Sequence, residues 1–271
     1  MTRALIFDCD GVVVDLELGR HRRAFNQMWR EQGIGWQWSD QQYARALAIS
    51  GGRERLAALR DDPAFRAVYE TPADPRVWAA TVARWHARKT EIYADLVRTG
   101  VTARSGVRRL ATTALAAGWR VGVASAGARA SVLTVLRCAV GPDLTAAMSV
   151  TTGEDVSAKK PAPEVYHLAA RRMGANPADC VVVEDTRNGM RAAVAAGMTC
   201  VVTPTRLTFH DDFDEAALVV TGLGDPGRPP EVVIGGRCWS PARPYLSLGD
   251  LAALTGTGSG ARLPLTVGRQ R

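Results

Sequence analysis

The stretch Ala4-Leu5-Ile6-Phe7-Asp8-Cys9-Asp10-Gly11 decides the fold. Four apolar residues in a row read as a short strand buried on both faces, the pattern of a parallel sheet. The acids begin where the apolar run stops. That puts Asp8 and Asp10 at the carboxyl end of the strand, the edge where ligands bind in open α/β sheets. Side chains alternate along extended backbone, so Asp8 and Asp10 point the same way and Cys9 points back into packing. Two carboxylates so close are tolerable in water-poor surroundings only if they share a cation or a proton.

Similar apolar runs follow at 120–124, 147–151, 181–183, 199–202 and 217–220, and helical periodicity fills 107–117, 130–136, 163–173 and 188–196 between them. Alternating strand and helix predicts an α/β fold, a parallel sheet with helices on both faces. From about Leu16 to Arg98 the rhythm breaks into helical periodicity alone, a helical insertion large enough to be a cap domain. Asp74-Pro75 supplies the N-cap and first-turn proline of its last helix. After Thr221 glycine and proline are dense, with one edge strand expected at 231–234 and one short helix opened by the capping pattern at Ser247 to Asp250.

The whole chain agrees with a globular protein. Its 271 residues can bury a sizeable core, and 46% hydrophobic with 23% charged residues excludes a disordered or low-complexity chain. The longest uncharged stretch, near Ala192 to Thr205, is too short to span a bilayer. Acids in the first ten residues stand where a signal peptide carries its apolar stretch, so the expected compartment is the cytoplasm. Five scattered cysteines without a C-x-x-C pair suit unpaired thiols. The net charge of +7 favours anionic partners, but the arginines are spread evenly and no basic run is interleaved with aromatics. A small anionic substrate is expected, with neither nucleic acid nor membrane as partner, and a monomer.

Three further elements follow later strands. Ser125 closes one strand before a helix, where its hydroxyl and the amides of Ala126 and Gly127 can face an anion. Lys160 lies in Lys159-Lys160-Pro161-Ala162-Pro163, stiffened by its prolines. One lysine of the two reads as a solvated charge. Glu184-Asp185 ends an apolar strand, and an acid pair there calls for a cation or water to satisfy it.

The order D-x-D-G, serine after the second strand, K-P-x-P and E-D-x-x-x-G resembles the haloacid dehalogenase superfamily, in the group with a helical cap after the first motif. The segments at 22–26, 36–38, 51–55, 86–93 and 223–226 are similar to its CbbY-like branch, whose best-known activity is xylulose-1,5-bisphosphate phosphatase. The resemblance implies a Rossmann-like core over residues 1–15 and 99–225 with an inserted helical-bundle cap over 16–98. Residues 226–271 are expected to pack on the core as an extension, frayed at its end.

It also implies a mechanism. Asp8 attacks phosphorus to form an aspartyl phosphate, and Asp10 protonates the leaving oxygen and then deprotonates water. Mg2+ is held by Asp8, the main-chain carbonyl of Asp10 and Asp185. Ser125 and Lys160 neutralise the phosphoryl oxygens, and Glu184 orients waters on the metal.

On the last cap helix an apolar stripe has Lys89 near its middle, an ammonium expected to meet a substrate anion. His86 and Tyr93 flank it. Arg53 and Arg55, beside Gly51-Gly52, can present guanidinium groups to a second phosphate. Glu17 matches the acid that in this branch faces sugar hydroxyls, and His21 follows it, one residue later than in the family pattern. The function expected is a Mg2+-dependent phosphatase acting on a small phosphosugar, a ketose bisphosphate such as xylulose 1,5-bisphosphate. A β-phosphoglucomutase-like phosphosugar mutase is the alternative on the same scaffold, and a non-catalytic binding protein is the remote one.

Overall fold

The computed structural model describes residues 2–228, 232–237, 244–255 and 262–263. The strands are β1 (Ala4–Phe7), β2 (Arg120–Ser125), β3 (Ser149–Thr152), β4 (Cys180–Glu184), β5 (Thr199–Val202), β6 (Leu218–Val220), β7 (Val233–Arg237) and β8 (Arg262–Leu263). They form one sheet in the order β3-β2-β1-β4-β5-β6-β7-β8. Neighbours from β3 to β6 run parallel, whereas the β6–β7 and β7–β8 pairs are antiparallel.

β1 is fully buried between β2 and β4, as its unbroken apolar run requires. The chain leaves β1 toward β2 and β3 and later returns on the other side as β4. Such a reversal opens a crevice at the carboxyl ends of the strands. Phe7 pairs with both Val123 and Val183, so Asp8 emerges level with the end of β4.

Between β1 and β2 the chain forms helices and no strand. A π-turn at Glu17–His21 leads into α1 (Arg22–Glu31), α2 (Asp40–Ala46), α3 (Gly52–Ala58), α4 (Pro63–Arg66) and the long α5 (Pro75–Arg98). Asp74 caps α5 by accepting the Arg76 amide at 2.7 Å, and Ser39 and Gln42 close a capping box on α2. Trp29, Trp36, Trp38, Phe65, Trp78 and Trp85 interlock edge to face inside this insertion, with Trp29 and Trp38 centroids 4.8 Å apart. The π-turn accommodates the extra residue before His21: Arg20 and His21 both donate their amides to the Leu16 carbonyl, at 2.8 and 3.1 Å. The side chain of Glu17, at the start of this turn, lies outside the described residues.

The remaining helices cover the sheet: α6 (Val107–Ala116), α7 (Arg129–Ala139), α8 (Pro142–Ala147), α9 (Glu164–Met173), α10 (Arg187–Ala195) and α11 (Leu248–Leu254). Two expectations need correcting. The third strand begins at Ser149 and not at residue 147, because Gly141-Pro142 opens the short α8, which ends at Ala147. The edge strand lies at Val233–Arg237, later than 231–234, and Glu231 is outside the described residues. α11 starts at the expected Ser247–Asp250 capping box. No helix among the described residues is long and apolar enough to cross a membrane. Cys9, Cys138, Cys180 and Cys200 are free thiols.

Candidate active site

Three strand ends and one loop meet in the crevice. β1 delivers Asp8, β2 Ser125 and β4 the Glu184-Asp185 pair, while Lys160 enters from the segment before α9. Lys160 is buried, and its ammonium donates to Asp8 Oδ1 at 2.5 Å, Glu184 Oε1 at 2.5 Å and the Ala124 carbonyl at 2.9 Å. A lysine has three donors, and all three are engaged within the core. Glu184 is equally committed. Its Oε1 also accepts from the Tyr166 hydroxyl, and its Oε2 accepts the Asp185 amide at 3.1 Å and the Thr186 hydroxyl at 3.4 Å. Glu184 thus holds Lys160 in place.

Two glycines keep the carboxylates where they are. A Cβ on Gly189 would meet the Glu184 carboxylate at 2.0 Å, and one on Gly11 would meet Asp185 Oδ2 at 1.9 Å. Gly11 also has φ +98°, which disfavours any other residue there. Its carbonyl accepts from the Arg104 guanidinium, which reaches the Thr203 carbonyl at 2.9 Å as well.

Carboxylate oxygens of Asp8, Glu184 and Asp185 lie within 4.8 Å of one another. Burial pushes the Asp8 carboxyl up to about 8; Lys160 pulls it down and Glu184 adds to the rise. Burial would also discharge Lys160, but Asp8 and Glu184 outweigh it and hold the ammonium well above its ordinary range. Lys160 meets Asp8 and Glu184, and Asp185 brings a third carboxylate into the same cluster. A hard divalent cation fits this all-oxygen donor set and supplies positive charge.

Asp10 faces the other way, into the helical insertion. Its Oδ1 accepts from the Tyr93 hydroxyl at 2.9 Å and lies 3.0 Å from His21 Nε2. His21 stacks on Tyr93 with centroids 3.9 Å apart, and its Nδ1 lies 2.7 Å from Lys89 Nζ. An ammonium can only donate, so Nδ1 is the acceptor and the ring proton sits on Nε2, toward Asp10. Burial raises the Asp10 carboxyl, but His21, Tyr93 and Lys89 outweigh it and leave it at about 2. Lys89 is buried, with its ammonium over the rings of Phe25 and Tyr93 at 4.7 and 4.8 Å. The two aspartates are two residues apart in sequence and in opposite electrostatic surroundings.

Both groups line one cavity of about 100 Å³. Asp8, Asp10, Ser125, Ala126, Lys160 and Asp185 line it from the core, and His21, Arg55, His86 and Lys89 from the insertion. Ser125 accepts the Gly127 amide at 3.1 Å, which fixes its hydroxyl at the mouth of the following loop. Burial, followed by Lys89, lowers His86 to about 4, so it is neutral at neutral pH and brings no positive charge.

Arg55 reaches the lining, but its guanidinium donates to the Ile49 carbonyl and the Tyr43 hydroxyl, both at 2.9 Å, which ties down the loop before α3. Arg53, expected beside a second phosphate, is exposed and is not brought to the cavity. α3 starts at Gly52, so positions 52, 55 and 56 share its inner face and 53 shares the outer one with exposed Ala57. Sequence reasoning missed Tyr166, Thr186, Thr205 and Thr208. The last three line the cavity from the loops after β4 and β5, and their position past a strand's carboxyl end was the available signal.

The haloacid dehalogenase-like hydrolase family model matches residues 2–197. The CBBY-like protein of Arabidopsis thaliana is 38% identical over 224 residues, covering 82% of this chain and 70% of that one. The plasmid-encoded protein CbbY of Cupriavidus necator is 38% identical over 229 residues, 84% of this chain and 88% of its own. The crystal structure of a mutant CbbY from Rhodobacter sphaeroides in complex with xylulose-(1,5)bisphosphate superposes with a TM-score of 0.74 at 31% identity, over 84% of this chain and 97% of that one. With a family match over most of its length and these relatives, this chain belongs to the haloacid dehalogenase-like hydrolases, in their CbbY-like branch, and is a phosphatase.

Proposed function

We propose that the chain is a Mg2+-dependent phosphatase of a small phosphosugar, a ketose bisphosphate such as xylulose 1,5-bisphosphate, working through an aspartyl phosphate on Asp8 under a helical cap formed by the insertion. The observation that carries this is that the two aspartates line one cavity in different company. Asp8 stands with Lys160 and the acid cluster, and Asp10 is held by Tyr93 and His21 of the insertion.

Asp8, Asp185 and the main-chain carbonyl of Asp10 would hold the cation, which when bound neutralises the clustered carboxylates and draws charge from the phosphoryl oxygens. Glu184, its oxygens taken by Lys160, Tyr166, Asp185 and Thr186, acts by fixing Lys160. Ionised Asp8 attacks phosphorus, a P–O bond to its carboxylate forms, and the ester P–O bond breaks. The Ser125 hydroxyl and the Ala126 amide face the phosphoryl oxygens as their charge shifts, and the Gly127 amide holds Ser125 in place.

The leaving sugar oxygen takes a proton from Asp10. Asp10 is ionised at rest, and a phosphate dianion bound beside it raises its proton affinity, so that it takes up a proton from solvent as substrate binds. In the second half Asp10 takes a proton from the attacking water, the acyl-phosphate P–O bond breaks, and inorganic phosphate and Asp8 are released. Lys89, with His21, faces the sugar end and matches a second anion in charge.

The test is phosphate release from a panel of sugar mono- and bisphosphates with Mg2+, with the sugar product followed alongside. Ketose bisphosphates are expected to give one phosphate per turnover and the highest kcat/KM. Isomerised sugar phosphate without released phosphate would replace this reading with the mutase.

A further inference from the structure

Lys159 and Lys160 are neighbours in sequence and face opposite ways. Lys160 is buried in the acid cluster, whereas Lys159 reaches out of the core to Glu54 on α3, with Nζ 2.8 Å from Oε2. The two side chains are 22% and 38% exposed, an ion pair at the rim of the cavity. A second bridge crosses at another point of the rim. Asn188, three residues after Asp185, donates to the Ala48 carbonyl at 2.9 Å and reaches the Ser50 hydroxyl at 3.5 Å. Both bridges hold one segment, residues 48–54, which gives Ser50, Gly51 and Gly52 to the cavity wall.

We propose that Glu54–Lys159, with Asn188, is a latch that holds the cap's substrate loop down on the core. It rests on the cap reading above. These are positioning residues: none is needed to touch the reacting atoms. Each core half of the latch is rigidly linked to a group of the site, Lys159 to Lys160 through one peptide bond and Asn188 to Asp185 through the first turn of α10. Seating of the loop is thereby registered against the acid cluster.

Gly51 supports the assignment. It has φ +96°, and a Cβ there would meet Glu54 Oε2 at 2.1 Å and Lys159 Nζ at 2.9 Å, so any larger residue would displace the pair. A half-exposed ion pair is weak, as a contact that must open in each turnover has to be.

The test uses the full chain and reads hydrogen exchange at the Ala48 and Ile49 amides by mass spectrometry or NMR, together with kinetics. Glu54→Gln and Lys159→Gln are each expected to speed exchange about two- to fivefold, the span of an exposed ion pair. The reversed pair Glu54→Lys with Lys159→Glu should restore most of the protection, and Asn188→Ala should speed exchange further in either single variant. On a sugar bisphosphate the single variants should lose about two- to fivefold in kcat/KM, and the reversed pair should recover it. Wild-type exchange in both single variants, or a reversed pair exchanging as fast as they do, overturns the latch. Failure of every sugar bisphosphate to turn over would sink the substrate reading alone, because exchange needs no substrate.

Discussion

The two sides of the cavity are built differently. On the core side the charged groups around Lys160 are fixed by other groups of the core. Lys160 serves Asp8, Glu184 and Ala124, Glu184 serves Lys160 and Tyr166, and glycines at 11 and 189 leave room for the carboxylates. On the side of the insertion α5 packs on α7, and the groups nearest the site meet the core through single polar contacts: Tyr93 and His21 on Asp10, Glu54 on Lys159, and the Ala48 carbonyl on Asn188. Removing one member of a buried charged cluster costs about 3–5 kcal/mol, because its partners stay buried and unpaired, whereas an exposed pair is worth under about 1 kcal/mol. On the proposed function, the side that does chemistry would be assembled to stay still, and the side that selects substrate to part and meet again.

The largest break in that comparison is expected at Asp8. Asp8→Asn keeps the shape of the side chain and removes both the nucleophile and one cation ligand. Turnover of all phosphate esters, small or large, should fall at least about a thousandfold, with the circular dichroism spectrum close to wild type. Phosphate release near the wild-type rate would end the covalent mechanism. Chelating divalent cations should have an equally unselective effect on wild-type turnover, and added Mg2+ should reverse it.

That contrast also explains what could be read from the sequence. The core motifs were legible because an apolar run fixes where a strand ends, and a residue at that end must face the crevice. Asp8, Asp10, Ser125 and Asp185 all reach the cavity for that reason. The start of β3 was not legible, since the apolar run across Ala146, Ala147 and Met148 does not distinguish the end of a helix from the start of a strand.

Of Lys159 and Lys160, only three-dimensional packing says which is buried. Tyr166 has the spacing of ordinary core residues on α9, and its hydroxyl gains meaning only from Glu184 across the sheet. On the insertion, Lys89 could be placed because its helix is long and its apolar stripe unambiguous. Arg53 could not, because α3 is only seven residues long and two glycines precede Arg53, so periodicity leaves the inner face undetermined.

Lys89 should give the next largest effect, and a selective one. Lys89→Ala removes the donor to His21 and the buried charge facing the substrate. The kcat/KM for a sugar bisphosphate is expected to fall about ten- to a hundredfold, the worth of one charge-assisted contact. For p-nitrophenyl phosphate, which has no second anion, the fall should be several times smaller. Part of the loss belongs in kcat, because remote binding energy helps to close the cap over the reacting end. Equal losses on both esters would show Lys89 to act through His21 and Asp10 alone.

The smallest effect is expected at Arg53, and it sharpens the comparison most. Arg53 and Lys89 are both cations of the insertion, and from sequence alone both are candidates for a second phosphate. The structure separates them: Lys89 is 5% exposed inside the cavity, and Arg53 is exposed on the outer face of α3. Its field reaches the cavity wall, where it helps to lower His86, but an exposed charge is screened at physiological salt over about 8 Å. Arg53→Ala should therefore change kcat/KM for a sugar bisphosphate by less than about twofold at physiological salt. Any loss should enlarge when ionic strength is lowered, the mark of a long-range field. A loss matching that of Lys89→Ala, and insensitive to salt, would mean that α3 turns Arg53 inward when substrate binds, and the second anion would then be gripped by two cations of the cap.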